Sequence, residues 1–208
     1  MKTIVNTIPG YRVYEYLLVL NPHEELRNKI IQIRKEFYNV YKASTVPKVF
    51  GSVKPHVTLV NFVQYGMMEE RIINRLKIIA MGYPPFKVEM KDFGSFPSHT
   101  IYINVTSKVP VQGLVKEIRS ETQRLMKLNE DNKPHFILEP YITIARKLQP
   151  WQYEKGWLEY SIKHFTGRFI ADSMLLLKRP VDEMKYQIVQ RLEFQNLPVA
   201  TKQGELFG

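Results

Sequence analysis

Two short stretches of the chain carry chemically capable residues at matching spacing. Lys54-Pro55-His56-Val57-Thr58-Leu59 and Glu139-Pro140-Tyr141-Ile142-Thr143-Ile144 each read proline, a polar ring, one apolar residue, then threonine. Residues i and i+2 of a strand point to the same face. His56 and Thr58 therefore share one face and Tyr141 and Thr143 another, while Val57, Leu59, Ile142 and Ile144 turn back towards a core. Such an arrangement suits phosphoryl chemistry on an anion. Two imidazoles flanking a phosphodiester serve as general base towards water and general acid towards the leaving oxygen, because an unperturbed histidine pKa of about 6.5 permits both roles at neutral pH. Threonine hydroxyls can donate to the non-bridging phosphate oxygens.

No step of that chemistry needs a metal, and no metal or other cofactor is expected. His23, His99 and His164 have no ligand partner at i+2 or i+4 and receive no role. His135, in Lys133-Pro134-His135, reads first as a solvent-exposed loop histidine; the alternative is that it swings in to supply a second imidazole. Lys54 and Arg146 flank the two motifs and bring positive potential. Strict alternation puts Arg146 off the Thr143 face, so a phosphate contact from Arg146 requires a twist or a bulge.

The elements that must position these residues follow from hydrophobic period and turn chemistry. Residues 11–20 read as a buried strand. Asn21-Pro22 with Glu24 suggests a capped helix start, followed by Leu26, Ile30, Ile33, Phe37 and Val40 on one face and charged residues towards water. A loop over residues 44–55 leads to a strand at 56–62. A second helix over Ile72, Ile73, Leu76, Ile79 and Ala80 stops at Gly82 and Pro84-Pro85. Residues 86–93 and 100–105 form a hairpin around Gly94 and Pro97. A third helix covers 111–128, a strand 141–148, and a weaker helix 150–162, interrupted at Gly156; Trp151 and Trp157 on it are read as core residues. Strands at 167–177 and 186–194 close the fold, separated by a loop at 178–185.

That order makes the fold class α+β, with two pseudo-symmetric lobes of antiparallel sheet, outer helices and a central cleft. Residues 1–195 are expected to form one domain of two lobes, and 196–208 a flexible tail. The 208 residues contain no cysteine, which excludes a disulfide framework and a cysteine nucleophile. No apolar run reaches the roughly 18 residues of a membrane span, and the N-terminal text does not read as a secretory signal, so a cytoplasmic location without membrane partners is the default. Thirty Lys and Arg against twenty Asp and Glu give a formal charge of +10. A field of that sign attracts RNA or nucleotides, although spread-out lysines also serve plain solubility.

The paired motifs, Phe93-Gly94-Ser95-Phe96 followed by Thr100-Ile101-Tyr102-Ile103-Asn104-Val105, and the ending Ile144-Ala145-Arg146 resemble the two-histidine (2H) phosphoesterase superfamily, in particular its 2'-5' RNA ligase-like branch. The resemblance spans roughly residues 12–195, and it rests on element order and duplicated text more than on either H-x-T alone. It implies action on 2',3'-cyclic or 2',5'-linked phosphodiesters of RNA ends or nucleotides. His56 and Tyr141 then occupy the catalytic positions, and Thr58, Thr143 and Arg146 bind substrate. The chain departs from the family at Tyr141, which stands where the second histidine belongs. With a pKa of about 10, a tyrosine donates a proton but is a poor base. Two outcomes stay open: a phosphodiesterase of reduced activity, or an inactive nucleotide- or RNA-binding member of the same fold. A general basic RNA-binding domain is a third reading.

Overall fold

The computed structural model describes residues 10–42 and 54–197. The N-terminal stretch, residues 44–53 of the expected loop and the expected tail beyond 197 lie outside the described residues. The elements are β1 (Val13–Leu20), α1 (Glu24–Tyr41), β2 (Val57–Tyr65), a 3-10 turn (Gly66–Met68), α2 (Glu69–Gly82), β3 (Phe86–Phe96), β4 (Thr100–Val105), α3 (Lys108–Met126), β5 (His135–Phe136), β6 (Tyr141–Arg146), α4 (Pro150–Tyr160), β7 (Thr166–Ala171), β8 (Ser173–Pro180) and β9 (Gln187–Glu193).

The strands form two antiparallel sheets, ordered β5-β2-β1-β8-β9 and β6-β4-β3-β7. Alternation along β1 sends Tyr16, Leu18 and Leu20 to full burial, and Ile101 and Ile103 do the same on β4. Helices cover those apolar faces. α3 packs on β2 and on α2, which also contacts β9, while α1 and α4 back the second sheet through β6, β7 and β4. Two of the helices cover the sheet to which their preceding strand does not belong: α1 leaves β1 and packs on β6, and α3 leaves β4 and packs on β2. This exchange interlocks the two lobes. It leaves the polar faces of the motif strands β2 and β6 lining one cleft.

Several boundaries differ from the sequence expectation. The expected single strand at 167–177 is two strands, because the chain breaks at Asp172 and changes sheet: Ala171 pairs with Phe86 in one, Ser173 with Glu193 in the other. The polar pair Asp172-Ser173 interrupts the apolar run at that point, so composition does mark the break. α1 begins at Glu24 with His23 as N-cap and no side-chain cap, so the expected Asn21 capping box does not form. On the same helix Val40 is 63% exposed, and Tyr41 and Arg34 are buried in its place. α4 runs through Gly156 without interruption, since a Cβ there would meet the Phe37 ring at 2.8 Å and glycine permits that approach of α1. Of its tryptophans, Trp157 packs half-buried against the core, whereas Trp151 is 49% exposed and is not a core residue. Gly94 lies within β3 and not in the hairpin turn.

Candidate active site

Each motif strand carries a β-bulge directly after its threonine. Along β2, Thr58 pairs with Val19 and Val60 with Leu18, which leaves Leu59 as the extra residue. Along β6, Thr143 pairs with Tyr102 and Ala145 with Ile101, which leaves Ile144 as the extra residue. One inserted residue shifts the phase of everything beyond it. Val60 and Ala145 therefore turn into the core, and Asn61 and Arg146 come onto the face of the threonines. The bulge that strict alternation lacked is present, and Arg146 joins Tyr141 and Thr143 on the cleft wall. The first lobe presents His56, Thr58 and Asn61 at the same three positions.

The cleft encloses about 350 Å³ and is lined by these six residues. Arg34, Lys147 and Arg179 add positive charge to its wall, and Glu15 is the carboxylate among its lining residues. Glu15 sits opposite Arg179 on the paired strands β1 and β8 and accepts a hydrogen bond from it, so that carboxylate is matched within the protein. The net balance of the wall is cationic, which suits a phosphate.

His56 precedes β2 and is half-buried, with Nδ1 2.7 Å from the Lys54 carbonyl oxygen. Its imidazole is pulled down to about 4, first by burial and then by Arg34 and Arg146, against the opposing pull of the Lys54 carbonyl. Tyr141 is also half-buried, and burial pushes its hydroxyl above the usual range, with Tyr102 adding and Arg146 opposing. Its ring belongs to a three-membered cluster: 5.1 Å from Phe96, 5.0 Å from Tyr102, with Phe96 and Tyr102 4.7 Å apart. The absent side chain of Gly94 makes room for that cluster, because a Cβ would meet the Tyr102 ring and the Asn104 amide oxygen at 2.6 Å.

Of the cleft residues, Asn61 and Arg34 were not singled out in the sequence, whereas His135 was, as the alternative source of a second imidazole. His135 is exposed, as expected, yet it sits on the short strand β5 opposite Asn61 rather than in a free loop. Opposed residues of a pair share a face, and His135 lines the cleft. The Ile137 amide also donates to the carbonyl of the bulge residue Leu59 at 2.9 Å, which holds this segment to β2. Asn61 depends on the bulge. Arg34 did leave a signal: Ile30, Arg34, Phe37 and Tyr41 follow one another at helical spacing, so Arg34 stands on the apolar face of α1.

Lys54 is exposed just before β2, and it contributes its carbonyl to His56. His99 bonds Thr100 Oγ1 at 2.6 Å, and His164 pairs with Asp92 on the surface. Among the described residues no group of three or more His, Cys, Asp or Glu side chains gathers to hold a metal, and no helix is long and apolar enough to cross a membrane.

A model of the 2'-5' RNA ligase superfamily matches residues 20–183. Among solved structures, the chain is similar to LigT of E. coli in complex with NADP+ at 13% identity, TM-score 0.62, covering 88% of this chain and 98% of that one. The 3'-AMP complex of E. coli LigT aligns at 15% identity, TM-score 0.60, with the same coverage. TT0787 of Thermus thermophilus aligns at 14% identity, TM-score 0.62, over 87% of this chain and 98% of that one. No curated protein sequence matches. At such identities the structures speak for the fold alone, but the family match covers most of the chain, both motif strands and their bulges: this protein belongs to the 2'-5' RNA ligase superfamily of 2H phosphoesterases.

Proposed function

We propose that the protein acts on 2',3'-cyclic or 2',5'-linked phosphodiesters of RNA ends or nucleotides, at a rate reduced by the tyrosine in the second catalytic position. The observation that carries this reading is the matched pair of bulges, which adds Asn61 to His56 and Thr58 of one lobe and Arg146 to Tyr141 and Thr143 of the other around a single cationic cleft. Nucleotide complexes of E. coli LigT, with 3'-AMP and NADP+, fit a ligand of that class.

In this reading the phosphate lies between Thr58 and Thr143, whose hydroxyls donate to its non-bridging oxygens, and Arg146 balances its charge. His56 takes a proton from water on Nε2 as the water oxygen bonds to phosphorus. The bond from phosphorus to the leaving ribose oxygen breaks, and that oxygen takes a proton from the Tyr141 hydroxyl, which solvent then restores. Tyr141 is the slow partner, because burial makes its hydroxyl a weaker acid than a free tyrosine. An imidazole held at about 4 is neutral at pH 7 but a weak base; a bound anion next to it raises its proton affinity.

The second reading, an inactive nucleotide-binding member, is favoured by one observation: the Tyr141 ring is engaged by Phe96 and Tyr102, as a packed aromatic would be. Hydrolysis of 2',3'-cyclic nucleotides by wild type, His56→Ala and Tyr141→His separates the two. Activity abolished by His56→Ala supports the enzyme; inactivity that Tyr141→His reverses supports the binding module. Activity indifferent to His56→Ala overturns the site.

A further inference from the structure

Among the described residues Arg34 is the one charged side chain buried to 4% exposure, and it lies in the wall of the cleft. Taking a guanidinium out of water costs several kcal/mol unless its donors are used and its charge is matched. Its Nε and Nη2 both donate to the Thr143 carbonyl oxygen, at 3.0 and 2.7 Å. That carbonyl belongs to the residue immediately before the bulge at Ile144. α1 therefore grips β6 at the point where the strand changes phase, and the same side chain that brings a buried charge to the cleft also keeps Arg146 turned into it.

The two guanidiniums repel each other. Burial first, and the charge of Arg146 second, lower the proton affinity of Arg34 to about 9; both cations also depress His56. Two like charges on one wall, Arg34 buried and Arg146 open to solvent, make a seat whose attraction grows with the charge of the anion placed between them. A diester carries one negative charge and a terminal phosphomonoester about two near neutral pH.

We infer that Arg34 and Arg146 form a two-guanidinium seat that prefers a phosphate dianion, the terminal phosphomonoester of a nucleotide or RNA end, over a monoanionic diester. This rests on reading the cleft as a phosphate site and deepens it: the cleaved end is held more tightly than the cyclic or linked end, so product leaves slowly. Arg34 is at the same time a positioning residue for Thr143 and Arg146. The other titratable and charged groups facing the seat are Tyr141, Lys147, His56, His135, Tyr186 and the Glu15–Arg179 pair, and a comparison at one pH holds their protonation constant.

The test is calorimetric titration at about pH 8, above the second phosphate pKa of about 6, with inorganic phosphate as dianion and dimethyl phosphate as monoanion. Wild type is expected to bind phosphate roughly tenfold or more tighter than dimethyl phosphate. Arg34→Met should collapse that preference and Arg34→Lys retain part of it, a graded rescue that loss of packing alone does not produce. Equal affinities on wild type, failure of both anions to bind, or an undiminished preference in folded Arg34→Met overturns the inference. Should Arg34→Met not fold, the wild-type comparison and Arg34→Lys decide. Phosphate binding without preference leaves the proposed activity standing, whereas turnover indifferent to His56→Ala takes catalysis away from His56 and this cleft, and a dianion preference measured there stands or falls on its own.

Discussion

His56 Nδ1 lies 2.7 Å from the carbonyl oxygen of Lys54, two residues earlier, and a carbonyl only accepts. Neutral His56 therefore carries its proton on Nδ1 and its lone pair on Nε2, the arrangement a general base requires. The same turn that starts β2 thus selects the tautomer.

This has a consequence for stability. His56 is held at about 4 in the folded chain against about 6.5 for an unperturbed histidine, so between those values the unfolded chain binds more protons. The stability tied to a neutral His56 is full above about pH 6.5 and is lost as the pH falls through that window towards 4. Thermal denaturation across it should show a melting temperature that drops on acidification, with a shallower drop in His56→Gln. Parallel curves for the two proteins would mean that His56 is not held neutral.

Tyr141→Phe removes the hydroxyl and keeps the ring contacts with Phe96 and Tyr102. If Tyr141 protonates the leaving oxygen, kcat on a 2',3'-cyclic nucleotide should fall while KM stays near its wild-type value. Tyr141→His restores a group that titrates near neutrality and should raise kcat by about 10²- to 10⁴-fold. Unchanged kcat in both variants would remove Tyr141 from the proton path.

Gly94→Ala forces a Cβ against the Tyr102 ring and Asn104. Overpacking of this kind costs about 1–3 kcal/mol, read as a lower urea midpoint at unchanged slope. Because the displaced ring is a neighbour of Tyr141, anion affinity should fall as well. A variant as stable as wild type would show that the cluster yields freely.

Arg179 bridges three parts of the far cleft wall: it donates to Glu15 and to the Glu183 carbonyl, and its guanidinium lies 5.1 Å from the Tyr186 ring centroid. Arg179→Met removes the guanidinium partner of Glu15, leaving it the Tyr186 hydroxyl, and should lower stability by about 1–3 kcal/mol. In a double-mutant cycle with Glu15→Gln, the second substitution should cost less than it does alone, with a coupling of at least about 0.5 kcal/mol. Additive effects would mean that the pair contributes no coupling.

The α+β class, the order of most elements and the two motif strands were legible because they rest on local patterns: period-two apolar runs in β1 and β4, a helical stripe in α1, and Pro-x-x-Thr text repeated at His56 and Tyr141. Residue identity also determined that the second copy of this text carries a phenol, Tyr141, where the first carries the imidazole of His56. Which residues meet was decided elsewhere. A bulge inserts one residue without changing composition, so the phase shifts after Leu59 and Ile144, and with them the arrival of Asn61 and Arg146 at the cleft, appear only when strands pair. The sheet change at Asp172 is marked by the polar Asp172-Ser173 pair, but which sheet each half joins is decided by pairing. His135 stays open between loop and cleft until β5 pairs with β2, and Arg34, although spaced onto the apolar face of α1, gains its role only when α1 packs on β6 and its guanidinium meets the Thr143 carbonyl. Sequence period sets which way a side chain points from its own element; only the packing of one element on another sets what it points at.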